Sequence, residues 1–244
     1  LLVETYMGLG EGNVEAAYNA ALGLEFMHAY LLVHDDVMDK DEMRHGVATL
    51  NARYTQLAEK RFGECDAEHF GNSIAIILGD MLCAFGNDAL FGADFSVPQL
   101  RKAMRQLQHI VAQTAFGQAQ DMQLEFSGQA TEKEVLEMYT NKTAKYTLEG
   151  PMHLGLILAN REDLLSQVST FALPLGIAFQ IQDDTLGLFG ESKETGKLPG
   201  KDIAEGKTTL LYIKAEELLQ GEDKQHLRSL FGKQLLTEAD VQWV

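Results

Sequence analysis

Cysteine, proline and positive charge are all scarce in this chain. Its 244 residues contain two cysteines, Cys65 and Cys83, at a separation that fits no metal-ligand spacing. A disulfide framework and a thiolate metal cage are thereby excluded, and a reducing, cytoplasmic setting is expected. Only four prolines occur, so little punctuates helices. Apolar runs such as Ser73 to Leu78 are too short to span a bilayer, and no secretory pattern is visible. Twenty Lys and Arg stand against 36 Asp and Glu, a net charge of −16. Such a surface repels nucleic acid and anionic membrane. An anionic substrate would need metal ions or a local basic patch.

What is present is helical. The hydrophobic fraction is 45%, ordinary for one large core. No alternating pattern survives beyond four residues, and there is no repeat. Val14 to Met38 reads as one long helix capped at Asn13, with Ala17, Ala20, Leu24, Met27 and Leu31 along one face. Further helices are expected over 74–89, 99–126, 142–159 (bent near Gly150-Pro151), 164–189 and 208–219. Another starts at the capping box Thr131 to Glu134. Loops are expected near 91–98 and over 190–206. The chain reads as one all-α domain. It opens at Leu1-Leu2-Val3 without a methionine and stops at Gln242-Trp243-Val244, which reads as a piece of a longer chain.

The first long helix closes on His34-Asp35-Asp36-Val37-Met38-Asp39. Asp35 and Asp39 share one helix face, roughly 6 Å apart. Two carboxylates at that spacing suit a hard cation bound beside phosphate oxygens. Acidic groups at a helix C-terminus also oppose the macrodipole, which a cation would relieve. A solvated acidic helix end is the plain alternative, but Tyr30-Leu31-Leu32-Val33 just before it is apolar on all sides. His28 lies two turns before Asp35 on the same face, either as a core histidine or as a ligand contact. Arg44-His45-Gly46 follows, either as a surface turn or as a cationic pair for a second phosphate.

A second helix runs into Phe179-Gln180-Ile181-Gln182-Asp183-Asp184. Lys193, Lys197, Lys201 and Lys207 trail it, a local exception in so acidic a chain. Phosphate capture is favoured there over a merely flexible charged loop. Between the two clusters, Lys142-Thr143-Ala144 opens an apolar helix and could contact a diphosphate or shield a cation.

These residues resemble the trans-isoprenyl diphosphate synthase (polyprenyl synthetase) family, of the short-chain geranylgeranyl or farnesyl type. Asp35 to Asp39 with Arg44-His45-Gly46 resembles its first aspartate-rich motif, and Gln180 to Asp184 its second. Gly117-Gln118-Ala119-Gln120-Asp121, Lys142-Thr143-Ala144, Gly196-Lys197, Asp202-Ile203 and Gly206-Lys207 are similar to further family blocks, in the family's order. The resemblance implies a single all-α domain over 1–244, an isoprenoid synthase helical bundle around a deep cavity, usually as a homodimer. It implies three magnesium ions on Asp35, Asp39 and Asp183. It implies binding of isopentenyl diphosphate and an allylic diphosphate, with His28, Arg44, His45, Lys197 and Lys207 as substrate contacts. Lys142, Thr143 and Gln180 would stabilise an allylic cation. Tyr30 and Leu31, five and four residues before Asp35, with Met27 deeper, would set product length. One aromatic at the fifth position resembles the geranylgeranyl type, with farnesyl as runner-up.

Three departures stand out. The family's Gly-Lys-x-x-Arg-Pro motif and its C-terminal helices are absent, so the terminal segments of the family are missing. His45 replaces a second arginine, which makes phosphate binding weaker and pH-dependent. Gly187 replaces the last aspartate of the second cluster. A class I terpene cyclase and a non-catalytic regulatory subunit are the alternatives. The first lacks support because Gln182-Asp183-Asp184 is unlike an Asn/Ser/Glu-rich motif, the second because the carboxylates are intact.

Overall fold

A computed structural model describes residues 1–9, 12–190, 200–233 and 235–244. The described residues are 80% helical with almost no strand, as the sequence leads one to expect. It divides into two compact units.

Unit 1 comprises Leu1–Val111 and Gly150–Ser169. Its helices begin with α1 (Leu2–Leu9), α2 (Val14–Met38), α3 (Leu50–Phe62) and α4 (Ala67–Phe91). The early part of α5 (Val97–Ser127), α7 (Gly150–Leu158), a 3₁₀ turn (Glu162–Leu164) and the start of α8 (Leu165–Phe189) complete it. The Asn13 side chain accepts from the N–H groups of Glu15 and Ala16, satisfying two of the orphan donors that open α2. Such a cap contributes about 1 kcal/mol. α2 lies along α4, with Met27 fully buried against the backbone of Gly86. Burying that side chain stabilises by about 1.5–3 kcal/mol.

The hairpin of β1 (Met43–Arg44) and β2 (Val47–Ala48) was not legible in the sequence. Two-residue strands are too short to show alternation. Its turn residues His45 and Gly46 both take positive φ, 49° and 75°. A tight hairpin turn of this kind requires that at both central positions, and glycine meets it without strain.

Unit 2 comprises Ala112–Glu149 and Thr170–Val244. It contains the later part of α5, α6 (Glu132–Tyr139), a π-helix (Thr140–Glu149) and most of α8. Four short helices follow among the described residues: α9 (Lys201–Glu205), α10 (Leu210–Leu218), α11 (Gly221–Leu230) and α12 (Glu238–Trp243). The expected capping box is present: Thr131 accepts from the Glu134 N–H, and Glu134 accepts from the Thr131 N–H. The bend expected near Gly150-Pro151 is a change of helix type directly before a proline that lacks the N–H a continuous helix would use. Part of the expected 190–206 loop is helical, because Gly200 and Gly206 adopt left-handed conformations at the two ends of α9. One core cluster gathers Val135, Met138, Tyr139 and Ile213. Another gathers Ile203, Tyr212, Leu227 and Leu230, with Tyr212 stacked on Phe231 at 3.9 Å.

Helices Ala67–Phe91 and Glu162–Phe189 are, by length and composition alone, long and apolar enough to cross a membrane, a test that the core helix of a soluble protein also passes. Acidic residues interrupt both, Asp80 and Asp88 in the first, Asp183 and Asp184 in the second.

Candidate active site

The first carboxylate centre, in unit 1, is built where α2 ends. The Asp39 N–H closes the last turn on the Asp35 carbonyl at 2.8 Å. Asp35 and Asp39 are half-buried, whereas Asp36 is buried. The hairpin returns Arg44 onto this end. Its Nε donates to Asp36 Oδ1 at 2.7 Å, and its Nη2 reaches Asp35 Oδ2 at 3.4 Å. Asp41 Oδ2 lies 4.0 Å from the same nitrogen. Burial pushes the Asp36 carboxyl above its ordinary value, opposed by the Arg44 guanidinium. Arg44 is itself held above its ordinary value because its carboxylate partners outweigh desolvation. The loop is fixed from below: the Asp41 carbonyl accepts from Thr49 Oγ1 at 2.7 Å and Asn51 Nδ2 at 3.0 Å. Arg44, foreseen as a phosphate contact, is thus also the counter-charge that organises the cluster. His45 is exposed at the hairpin tip.

Deeper along α2, Met27 and Tyr30, two of the residues proposed to set product length, face α4. The His34 Nε2–H donates to the Ile76 carbonyl at 3.1 Å, and the Tyr30 ring meets the His34 ring edge-on at 4.8 Å. Burial raises the Tyr30 phenol, with Cys83 and Asp80 of α4 adding to the effect. Leu31 and His28 are half-buried.

The second centre lies in unit 2. Asp183 is exposed near the end of α8, while Asp184 is 7% exposed and turned inward. Asp184 Oδ2 accepts a short hydrogen bond from the Tyr139 hydroxyl, and Oδ1 accepts from Gln180 Nε2 at 2.8 Å. Gln180 Oε1 accepts in turn from Thr143 Oγ1 at 2.5 Å. The Tyr139 oxygen also accepts the Leu210 N–H at 2.9 Å. Burial pushes Asp184 up to about 6, although Tyr139 and Gln180 pull the other way; Asp202 and Asp183 add to the rise. Burial, followed by the neighbouring Asp184 charge, raises the Tyr139 phenol.

Lys142 stands in the π-helix and pairs with Asp121 of α5 at 2.5 Å. A π-helical segment shifts the register of the side chains that follow it, and such segments concentrate at functional sites. α5 approaches closely at Gly117, where an added Cβ would collide with the Lys142 backbone nitrogen. Lys207 contacts Glu205 at 3.7 Å. Lys197, with Lys193, lies outside the described residues.

Unit 2 therefore brings Lys142, Thr143 and Gln180 into one neighbourhood with Asp184, and unit 1 joins Arg44 to Asp35. Sequence reasoning did not single out Tyr139. Its available signal was its place three residues before Lys142, on the turn leading into the π-helix. Asp36 and Asp41 were missed as the partners that fix Arg44.

No three His, Cys, Asp or Glu side chains among the described residues are gathered closely enough to hold a metal ion alone. Magnesium does not require that, because it keeps waters and takes one or two carboxylates plus substrate phosphate oxygens. In each unit the donors are of the type such an ion takes, the oxygens of Asp35 and Asp39 in unit 1 and of Asp183 in unit 2.

A nearly all-helical fold with oxygen-donor carboxylates at the end of α2 and near the end of α8, and cationic or amide groups beside each, is of the kind suited to handling phosphorylated substrates through hard cations. The chain belongs to the polyprenyl synthetase family, whose model matches residues 1–244. It is 34% identical over 235 residues to a geranylgeranyl diphosphate synthase of Saccharolobus solfataricus, covering 95% of this chain and 65% of that protein. It is 32% identical to a short chain isoprenyl diphosphate synthase of Methanocaldococcus jannaschii, covering 99% and 68%. A crystal structure of geranylgeranyl pyrophosphate synthase from Corynebacterium glutamicum, complexed with isoprenyl diphosphate and magnesium, aligns with a TM-score of 0.88 at 31% identity. That alignment covers 95% of this chain and 66% of the other. The chain thus spans about two thirds of the length of the relatives it matches.

Proposed function

We propose that this protein is a magnesium-dependent prenyltransferase that condenses isopentenyl diphosphate head to tail with an allylic diphosphate, acting as a homodimer. The observation that carries the reading is the Lys142–Thr143–Gln180 neighbourhood beside Asp183 and Asp184, in a chain whose first long helix ends in Asp35 and Asp39. Geranylgeranyl diphosphate synthase, the name borne by relatives at similar identity, supports a twenty-carbon product, with fifteen as runner-up.

Asp35, Asp39 and Asp183 would hold magnesium, three ions on this reading, which supplies charge neutralisation to the departing diphosphate. His28, Arg44, His45, Lys197 and Lys207 contact the diphosphates. As the allylic carbon–oxygen bond breaks, the oxygens of Thr143 and Gln180 face the developing cation, and Lys142 keeps the diphosphate anion near. The apolar residues around Tyr30 and Leu31 exclude water that would quench the cation. Tyr30, on α2 roughly 7.5 Å along the axis from Asp35, limits the growing chain.

Purified protein is incubated with magnesium, labelled isopentenyl diphosphate and an allylic diphosphate of ten or fifteen carbons. A discrete longer prenyl diphosphate, lost on chelation, is the expected result. Diphosphate release with only hydrocarbon or alcohol would indicate a cyclase, and no turnover by folded protein a regulatory subunit. Tyr30→Ala lengthens the product; an unchanged product distribution would sink the ruler assignment.

A further inference from the structure

We infer that the Tyr139 hydroxyl is a positioning group that sets the hydrogen-bond polarity of the cation-facing residues, through Asp184 and Gln180 to Thr143. This rests on the condensation reading above and assigns a role to a buried residue that acts through its neighbours.

The direction of each hydrogen bond follows from what each atom can do. Asp184 is a carboxylate that receives the Tyr139 O–H on one oxygen. Its other oxygen can only accept, so the Gln180 amide must present Nε2 to it, as found at 2.8 Å. That fixes the amide, and Oε1 is turned toward Thr143. An amide oxygen cannot donate, so the Thr143 hydroxyl gives its proton to Gln180 across 2.5 Å. With that proton committed, the remaining electron pairs of the Thr143 oxygen are available to a positive charge. A hydroxyl left to rotate would turn its proton toward solvent or diphosphate for part of the time.

Tyr139 suits this task because it is buried and held at its hydroxyl. It is 2% exposed and packs among Val135, Met138 and Ile213. Its oxygen also receives the Leu210 N–H at the start of α10. One phenol therefore joins α6, α8 and α10. Removing its oxygen leaves a buried carboxylate short of a donor, and Asp184 must swing to find another. Gln180 then loses the anchor that distinguishes its two amide ends.

The test compares the parent protein with Tyr139→Phe, Thr143→Val and the double variant. Each is first checked for an unchanged circular dichroism spectrum and cooperative melting. The expected result is a fall in kcat of about ten- to a hundredfold for Tyr139→Phe, with both KM values nearly unchanged and more allylic alcohol per condensation. The double variant is expected to be no slower than the slower single variant, because both changes break one chain of contacts. Parent-like kcat in Tyr139→Phe, or rate losses that multiply in the double variant, would overturn the assignment. A crystal structure of Tyr139→Phe tests the relay independently of turnover. Displacement of Asp184 and Gln180 is expected, and an unmoved Gln180 amide refutes the inference. If the parent itself makes no prenyl diphosphate, the condensation reading fails, while the crystal structure still decides the relay.

Discussion

The two carboxylate centres solve the same problem by different means. Each must hold a buried aspartate, Asp36 in unit 1 and Asp184 in unit 2, beside a more accessible one. Asp36 is held by a fixed positive charge, since the Arg44 guanidinium also reaches Asp35 and Asp41. Asp184 is held by neutral donors, Tyr139 and Gln180, while the nearby cation Lys142 is engaged by Asp121. An ion pair neutralises charge on site, whereas dipoles orient it and leave it in place. On the proposed function, the first arrangement would stiffen a metal platform, and the second would point electron density at the reacting cation.

The comparison can be broken in order of expected effect. Asp35→Ala and Asp183→Ala should each lower kcat/KM by about a thousandfold in the condensation assay, because on the proposed function both remove charge that would hold the leaving diphosphate. Equal residual activity at high magnesium for Asp183→Ala alone would mean that only the first centre matters. Arg44→Ala should destabilise by about 2 kcal/mol in denaturant unfolding, since it strands buried Asp36 while its own side chain is 22% exposed. That loss should shrink in about 1 M salt, where the screening length is about 3 Å. The loss in Tyr139→Phe should not shrink.

The smallest effect is a pH dependence. The folded-state value of Asp184 lies above its ordinary one, at about 6. The native state therefore takes up the proton first. Stability carried by this residue is lowest above about 6 and is regained as pH falls toward about 4, where the unfolded chain is protonated as well. In chelator, parent stability should rise relative to Asp184→Asn across that window. A constant difference would mean that Asp184 titrates normally. Asp36 is raised in the same sense and adds a parallel trend common to both proteins.

Much of this was legible in the sequence, for reasons that differ by residue. The α2 boundaries were readable because Asn13 caps a clear three-and-four periodicity, and Thr131-Glu134 announced α6 by its own chemistry. The aspartate clusters were readable because each follows an apolar helical stretch, Tyr30 to Val33 before the first and Leu173 to Ala178 before the second, and is trailed by basic residues. The hairpin at Met43–Ala48 escaped notice because it is fixed by Arg44 on Asp36 and by Thr49 and Asn51 on the Asp41 carbonyl, contacts that no local pattern encodes. The π-helix escaped notice because the sequence shows only the proline after it, not the change of register before it. Tyr139 escaped notice because its partners, Asp184 and the Leu210 N–H, lie 45 and 71 residues away.

Those separations have a kinetic consequence. The first centre is tied by contacts only 8 to 10 residues apart, so closing its loops costs little chain entropy. The second is tied across 37, 45 and 71 residues and must wait for distant segments to arrive. Arg44 then belongs among contacts already formed when the folding barrier is crossed, and Tyr139 among those completed afterwards. Arg44→Ala should slow refolding, whereas Tyr139→Phe should chiefly hasten unfolding. The residue that would arrange the reaction is thus expected among the last to be put in place.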